Sequence, residues 1–248
     1  MMKRNNFPFS AVLGLNHAKT AILIVLVNPR AGGLLISGPR GIGKSTLMRS
    51  TQELIERPWR DIPVSVTEDR LFGTIDTEKA IYSGQKKLYP GIINEADQGV
   101  LYLDDANLLR EDLLDSILNI AEVGAYQLER DGLSLRCDTS FTVIAAINPE
   151  SGMLSGACLD QFGLFVNVDN IHDENTRVEI LKRTISFEKD CASFCNLWKL
   201  ENEKIKKAIH SAMSLLPKVV VSSAMIQLAS VYALKAHVSG HRADIYLI

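Results

Sequence analysis

Residues 32–46, GGLLISGPRGIGKST, constrain the fold more than any other stretch of the 248-residue chain. The short apolar run Leu34, Leu35, Ile36 predicts a strand, and it feeds a glycine-rich turn closing on Gly43-Lys44-Ser45. Gly38-x4-Gly43-Lys44-Ser45 is the spacing of a phosphate-cradling P-loop. Its glycines let consecutive N–H groups curl around phosphate oxygens with no Cβ in the way. Thr46 to Ser50 suit a helix whose positive N-terminal end points at the same place. Gly38, Pro39, Arg40, Gly41, Ile42, Gly43, Lys44, Ser45 and Thr46 are therefore expected to hold ATP or a similar nucleotide. Lys44 is expected at the β- and γ-phosphates, and Ser45 Oγ at Mg²⁺.

A second buried strand is expected in Gly99-Val100-Leu101-Tyr102-Leu103-Asp104-Asp105, an apolar run bounded by glycine and closing on two acids. Ligands gather at the carboxyl ends of parallel strands, so Asp104 is expected to support Mg²⁺ and Asp105 to polarise the attacking water. The alternative is that Asp-Asp merely caps a following helix. Phe141 to Ile147 reads as another continuous apolar strand, ending on Asn148-Pro149. Asn148 can orient the hydrolytic water, although Asn-Pro by itself is a common turn.

Around these strands the remaining pattern is regular. Residues 7–14 read as an extended leading segment, with Val12, Leu13 and Gly14 placed to fold back over an adenine. Asn16 is expected to cap a helix reaching about Val27, and the P-loop helix to end near Arg57-Pro58. A short helix is expected at Thr77 to Ser83, and a longer one from about Glu111 to Glu122, stopped by Gly124. Alternation around Arg130-Asp131-Gly132 predicts a hairpin over 125–137. Helices are expected at 174–188, 190–199, 202–215 and 222–238, marking a small all-α second domain.

Composition narrows the partners. A formal charge of −2, with 46% hydrophobic and 23% charged residues, gives no electrostatic footprint for nucleic acid or an anionic membrane. Ala21 to Val27 is far shorter than the roughly 20 residues of a membrane span, and Asn28-Pro29-Arg30 follows it instead of a cleavage site. Cys137, Cys158, Cys191 and Cys195 form no CxxC pair, so free thiols and a cytoplasmic location are expected. His17, His172, His210 and His237 read as solvated or capping residues rather than ligands.

The segments GPRGIGKST, VTEDRLFGTIDTEKA, PGIINEADQGVLYLDDANLL, LERDGLSLR, AINPESG, LDQFGL and GHRADI together resemble the AAA+ ATPase subunit of magnesium chelatase and its bacterial magnesium- or cobalt-chelatase relatives. The resemblance runs from about Phe7 to Ile248. It implies an α/β fold: residues 1–170 as a nucleotide-binding domain with parallel sheet and flanking helices, then 171–248 as a helical lid incomplete at its C-terminus. Residues 63–91 match the family's helix-2 insertion, and 125–137 its pre-sensor hairpin. Matched by position, Asn148 becomes sensor 1 and Arg242 sensor 2. The resemblance also implies ATP and Mg²⁺ as cofactors and a homo- or mixed hexameric ring. Its implied partners are an AAA+/integrin-I-like subunit and a large chelatase subunit that inserts magnesium or cobalt into a tetrapyrrole.

Several features depart from that pattern. Asp105 replaces the usual glutamate, and Gln98 and Gln161 stand where similar subunits carry arginine. At Gln161 that arginine is the finger supplied to the neighbour's ATP, a loss worth 10³–10⁵ in rate, or about 4–7 kcal/mol. The chain also stops soon after Arg242. The reading is thus an ATPase motor subunit. The alternatives are a nucleotide-binding structural or regulatory ring subunit with weak hydrolysis, and a MoxR-like chaperone for another metalloenzyme.

Overall fold

The computed structural model describes residues 6–75, 88–130, 133–236 and 242–247. In chain order, α1 (Asn16–Val27) leads into β1 (Leu34–Ser37), α2 (Lys44–Thr51) and β2 (Trp59–Ile62). There follow α3 (Glu68–Phe72), β3 (Gly73–Ile75), β4 (Leu88–Pro90), α4 (Ile92–Glu95), β5 (Val100–Leu103) and α5 (Glu111–Val123). Then come β6 (Ala125–Arg130), β7 (Leu133–Asp138), β8 (Thr142–Ile147), α6 (Gly156–Leu159) and β9 (Leu164–Asn167). The C-terminal helices are α7 (Glu174–Lys189), α8 (Cys191–Leu215), α9 (Ser223–Lys235) and α10 (Arg242–Tyr246).

The expected parallel sheet with helices on both faces is present. Its order is β2-β5-β8-β1-β9, and every pairing is parallel. The central strands β1, β5 and β8 are buried along their whole length, which is why they read as unbroken apolar runs. Their two-residue alternation divides the core into two layers. Leu35, Leu101, Leu103, Val143 and Ala145 face α5 through Leu113, Leu114, Ile117 and Leu118. Leu34, Ile36, Val100, Tyr102 and Ile144 face α1 and α2 through Ile22, Val25, Leu26, Leu47 and Met48. Gly124, at φ +77°, ends α5 in the left-handed backbone that glycine adopts without strain. The antiparallel β6–β7 hairpin stands where alternation predicts one.

Several boundaries differ from expectation for local reasons. Residues Phe9–Ala11 form a 3₁₀ turn inside the segment expected to be extended. Leu15, in left-handed backbone, precedes α1, so Asn16 lies in the first turn instead of capping it. Helix α2 ends at Thr51, not near Arg57, because the Ser50 and Thr51 hydroxyls both donate to Leu47 O, at 2.6 and 2.9 Å. The two helices expected at 190–199 and 202–215 are one, α8, since neither glycine nor proline interrupts its residues. Asp173 and Asp190 cap α7 and α8 by accepting from Thr176 N (2.7 Å) and Ser193 N (3.0 Å).

The helix expected at 77–83, the turn at Asp131-Gly132, and His237, His241 and Ile248 lie outside the described residues. Among the described residues no single helix is long and apolar enough to cross a membrane. None of their His, Cys, Asp and Glu side chains form a group of three or more able to hold a metal ion.

Candidate nucleotide site

The P-loop leaves the carboxyl end of β1, and each of its glycines answers a separate demand. A Cβ on Gly38 would lie 2.5 Å from Val168 O, so that position is closed to any side chain. Gly41 (φ +82°) and Gly43 (φ +92°) take up left-handed backbone that turns the loop into α2. Pro39 and Ile42 fill the turn between these glycines, while Thr46 is exposed at the start of α2. Lys44 is only 7% exposed, and its Nζ donates to Gly38 O (2.5 Å) and Pro39 O (2.8 Å). Burial lowers its pKa from the ordinary lysine value, against the opposing pull of Asp105 and then Asp104.

The two acids follow β5 at the same edge of the sheet. Ser45 Oγ donates to Asp104 Oδ1 at 3.1 Å, which brings together the hydroxyl and carboxylate expected to share Mg²⁺. Asp105 sits in left-handed backbone (φ 51°) immediately after. From β8, the next strand in the sheet, Asn148 (2% exposed) begins a turn: its Oδ1 accepts from Glu150 N (3.2 Å) and its Nδ2 donates to Ser151 Oγ (3.3 Å). Arg40 of the P-loop reaches the same turn, donating to Ser151 Oγ at 3.4 Å.

Two side chains that motif reading passed over join this site. Asn107 Nδ2 donates to Asn148 O (3.0 Å) and Gly152 O (2.9 Å), fastening the turn after β8 to the turn after β5. Tyr102, 1% exposed, presents its hydroxyl toward Asp104 and Ser45. Burial, and after it the negative charge of Asp104, hold the Tyr102 proton well above the ordinary phenol range. The signal for Tyr102 was in the sequence: two residues before Asp104 on a strand, it shares that residue's face.

A cavity of about 860 Å³ opens beside the loop. Gly41, Gly43 and Thr46 line it from the P-loop, Val12 and Leu13 from the leading segment, and Ile171, His172, Arg177 and Ile180 from the approach to α7 and its first turns. Its size and mixed lining suit a nucleoside. Gly14 is not among its lining residues; it packs against Ile171.

Arg242 is not brought to this edge of its own chain. Its Nη2 pairs with Glu122 Oε2 at 3.1 Å, and its Nε donates to Tyr246 Oη at 3.3 Å. Tyr246 in turn lies against Gly32, at the amino-terminal end of β1 and so the far edge from the P-loop. Gln161 is near that edge too: Gly163, two residues on, donates its N–H to Gly32 O at 2.8 Å. The Gln161 Nε2 donates to Ala157 O at 3.5 Å, and its Oε1 is buried without a partner. Gln98, exposed and in left-handed backbone (φ 57°), donates its N–H to Ser140 O at 2.6 Å.

The residues present fit a magnesium nucleotide: a cradle of the right backbone form, a lysine within it, and a hydroxyl–carboxylate pair at its mouth. A parallel sheet carrying a P-loop, an acid-tipped neighbouring strand and an asparagine-tipped strand between them define a AAA+ ATPase, a class that uses ATP and Mg²⁺. A family model for the AAA domain (dynein-related subfamily) matches residues 33–161. Over 96% of its length the chain is 32% identical to the magnesium-chelatase 38 kDa subunit of Chlorobaculum tepidum, covering 71% of that protein. It is 33% identical to the Rhodobacter capsulatus 38 kDa subunit, covering 98% of this chain and 79% of that one. A magnesium-chelatase subunit ChlI homolog from Methanocaldococcus jannaschii is 32% identical over the whole chain and 78% of its own. Among solved structures, a chain in the cryo-electron-microscopy complex of the BchI and BchD subunits of magnesium chelatase superposes with a TM-score of 0.64 at 30% identity, covering 98% of this chain and 93% of that one. The chain belongs to the family of AAA+ ATPase subunits of magnesium chelatase.

Proposed function

We propose that this chain is the ATP-driven motor subunit of a chelatase-type complex, with its phosphate site built from residues 38–46, Asp104, Asp105 and Asn148. The observation that carries this reading is the 3.1 Å hydrogen bond from Ser45 Oγ to Asp104 Oδ1 beside a lysine held in the loop. Lys44 Nζ exchanges its two carbonyl partners for β- and γ-phosphate oxygens, so the loop is already shaped for the charge it receives. Ser45 and Asp104 would hold Mg²⁺, which neutralises charge on the terminal phosphoryl oxygens when bound. Asp105 accepts a hydrogen bond from the attacking water, and Asn148 fixes that water's position. The adenosine occupies the cavity between Val12, Leu13 and Ile180.

In this reading residues 1–170 are the nucleotide domain and 171–248 a lid, and identical or mixed copies form a ring. Arg242 and Gln161, at the far edge of the sheet, face a neighbour's nucleotide rather than their own. The cryo-electron-microscopy complex of BchI with BchD supports a partner subunit of that kind, and the relatives' names support magnesium insertion as the purpose of hydrolysis. The turnover of the purified chain and of Lys44→Ala tests the motor. Hydrolysis abolished in the variant supports the site; equal hydrolysis in both refutes it.

A second reading, a ring subunit that binds nucleotide and hydrolyses it weakly, is favoured by one observation: Gln161 is neutral where the finger belongs. Gln161→Arg discriminates between the two. A rise of tenfold or more in turnover of the assembled protein marks a motor waiting for a mixed-ring partner, whereas no rise favours the scaffold.

A further inference from the structure

A buried hydroxyl with nothing to bond to is rare, because it forfeits its hydrogen bonds to water and gains none in return. Among the described residues three buried side-chain atoms are left so, and the Tyr102 hydroxyl is the one whose residue is almost wholly enclosed, at 1% exposure. Its surroundings are not a random piece of core. Tyr102 lies on β5 two residues before Asp104, which follows the strand's end, and the hydroxyl is directed at Asp104 and Ser45. On its other side the Trp59 ring is 5.9 Å away, centroid to centroid, which limits where the phenol can swing. A phenylalanine would fill the same space and leave no orphan atom.

A carboxylate has about four lone-pair sites, and among the described residues the side chain that donates to Asp104 within normal geometry is Ser45, at 3.1 Å. A carboxylate held from one side can rotate about its Cβ–Cγ bond. For Asp104 to face a cation shared with Ser45, a second donor must fix that rotation.

We propose that Tyr102 is a positioning residue of the magnesium site, donating its hydroxyl to the Asp104 carboxylate and fixing that carboxylate toward the cation. The assignment rests on the nucleotide site proposed above. It gives the orphan hydroxyl a partner in the loaded state, and it separates the metal's grip from the nucleotide's. The P-loop amides and Lys44 bind the phosphates whether or not Tyr102 is present.

The test is Tyr102→Phe in the full chain, with a fluorescent ATP analogue titrated first in EDTA and then at fixed concentration against Mg²⁺. Affinity in EDTA stays within twofold of the unaltered chain, while the Mg²⁺ concentration giving half of the metal-dependent signal rises about tenfold, as expected for a lost hydrogen bond to a charged group. Asp104→Asn, measured alongside, shifts the same midpoint by at least as much. If Tyr102→Phe leaves the Mg²⁺ midpoint within twofold and only raises the melting temperature, the hydroxyl is an unsatisfied core atom and the proposal fails. If the unaltered chain binds the analogue without any response to Mg²⁺, the nucleotide-site reading fails, and this assignment with it.

Discussion

Replacing Asn107 with alanine should loosen the turn that carries Asn148 while leaving the P-loop untouched. Asn107 Nδ2 makes two hydrogen bonds, to Asn148 O at 3.0 Å and Gly152 O at 2.9 Å, and each neutral bond contributes about 1 kcal/mol. Its Oδ1 is buried without a partner, so removing that atom returns about 1 kcal/mol. The balance is a loss of about 1 kcal/mol, or about 2–4 °C in melting temperature for a chain of this size. The effect on hydrolysis is larger in proportion. A turn no longer tied to the residues after β5 holds Asn148 in its working position for a smaller share of the time. About 1.4 kcal/mol of lost positioning lowers kcat tenfold. Nucleotide affinity should stay within twofold, because Lys44 and the loop amides do not depend on Asn107. Scanning calorimetry, steady-state turnover and binding of a fluorescent nucleotide read these three quantities separately. A kcat within twofold of the unaltered chain, with the melting shift present, would refute the positioning of Asn148 through Asn107.

Lys44→Ala should weaken ATP binding by about 10- to 100-fold, the range expected when a charged donor is removed, with an unchanged far-ultraviolet spectrum; titration calorimetry checks it. Gly38→Ala forces a Cβ to within 2.5 Å of Val168 O, a backbone atom, and should cost about 1–3 kcal/mol in thermal stability along with a displaced loop and weaker nucleotide binding. Asp173 and Asp190 have pKa values below the ordinary carboxylate range, first because of the Thr176 and Ser193 hydroxyls and then the backbone N–H groups they accept from. Folded values below unfolded ones mean that this capping is complete above the ordinary value of about 3.9 and is lost as pH falls through the folded values. Helical signal should therefore decline on acidification below about pH 4, and Asp173→Asn with Asp190→Asn, which keep a cap without a charge, should flatten that limb in circular dichroism.

The parts of the fold that follow from local pattern were legible in advance. Buried parallel strands declare themselves as unbroken apolar runs, so β1, β5 and β8 could be read from Leu34, Val100 and Thr142 onward. The edge strand β2, half-exposed and containing Arg60 and Asp61, carries no such signal and exists because β5 offers it a partner. Helix α8 reads as two segments, 190–199 and 202–215, whereas its continuity depends on the absence of a breaker around Leu200 and Glu201. At the site, the loop and Asp104 were readable because their spacing is local. Tyr102 was readable only once Asp104 had been placed, two residues on, and Asn107 was not, since its importance lies in the carbonyls that it reaches across the sheet. The positions of Arg242 and Gln161 at the far edge depend on how α10 and the segment before β9 return to Gly32, a long-range arrangement that no spacing rule reports.

The two-sided burial of β5 has a consequence for how this sequence can vary. Val100 and Tyr102 look one way while Leu101 and Leu103 look the other, and Asp104 follows at the strand's end. Swapping one aliphatic side chain for another disturbs only its own layer. Adding or deleting a single residue between Val100 and Asp104 exchanges the layers wholesale: the carboxylate turns into hydrocarbon, and a leucine arrives where the cation belongs. This strand should therefore tolerate many spellings and no change of length.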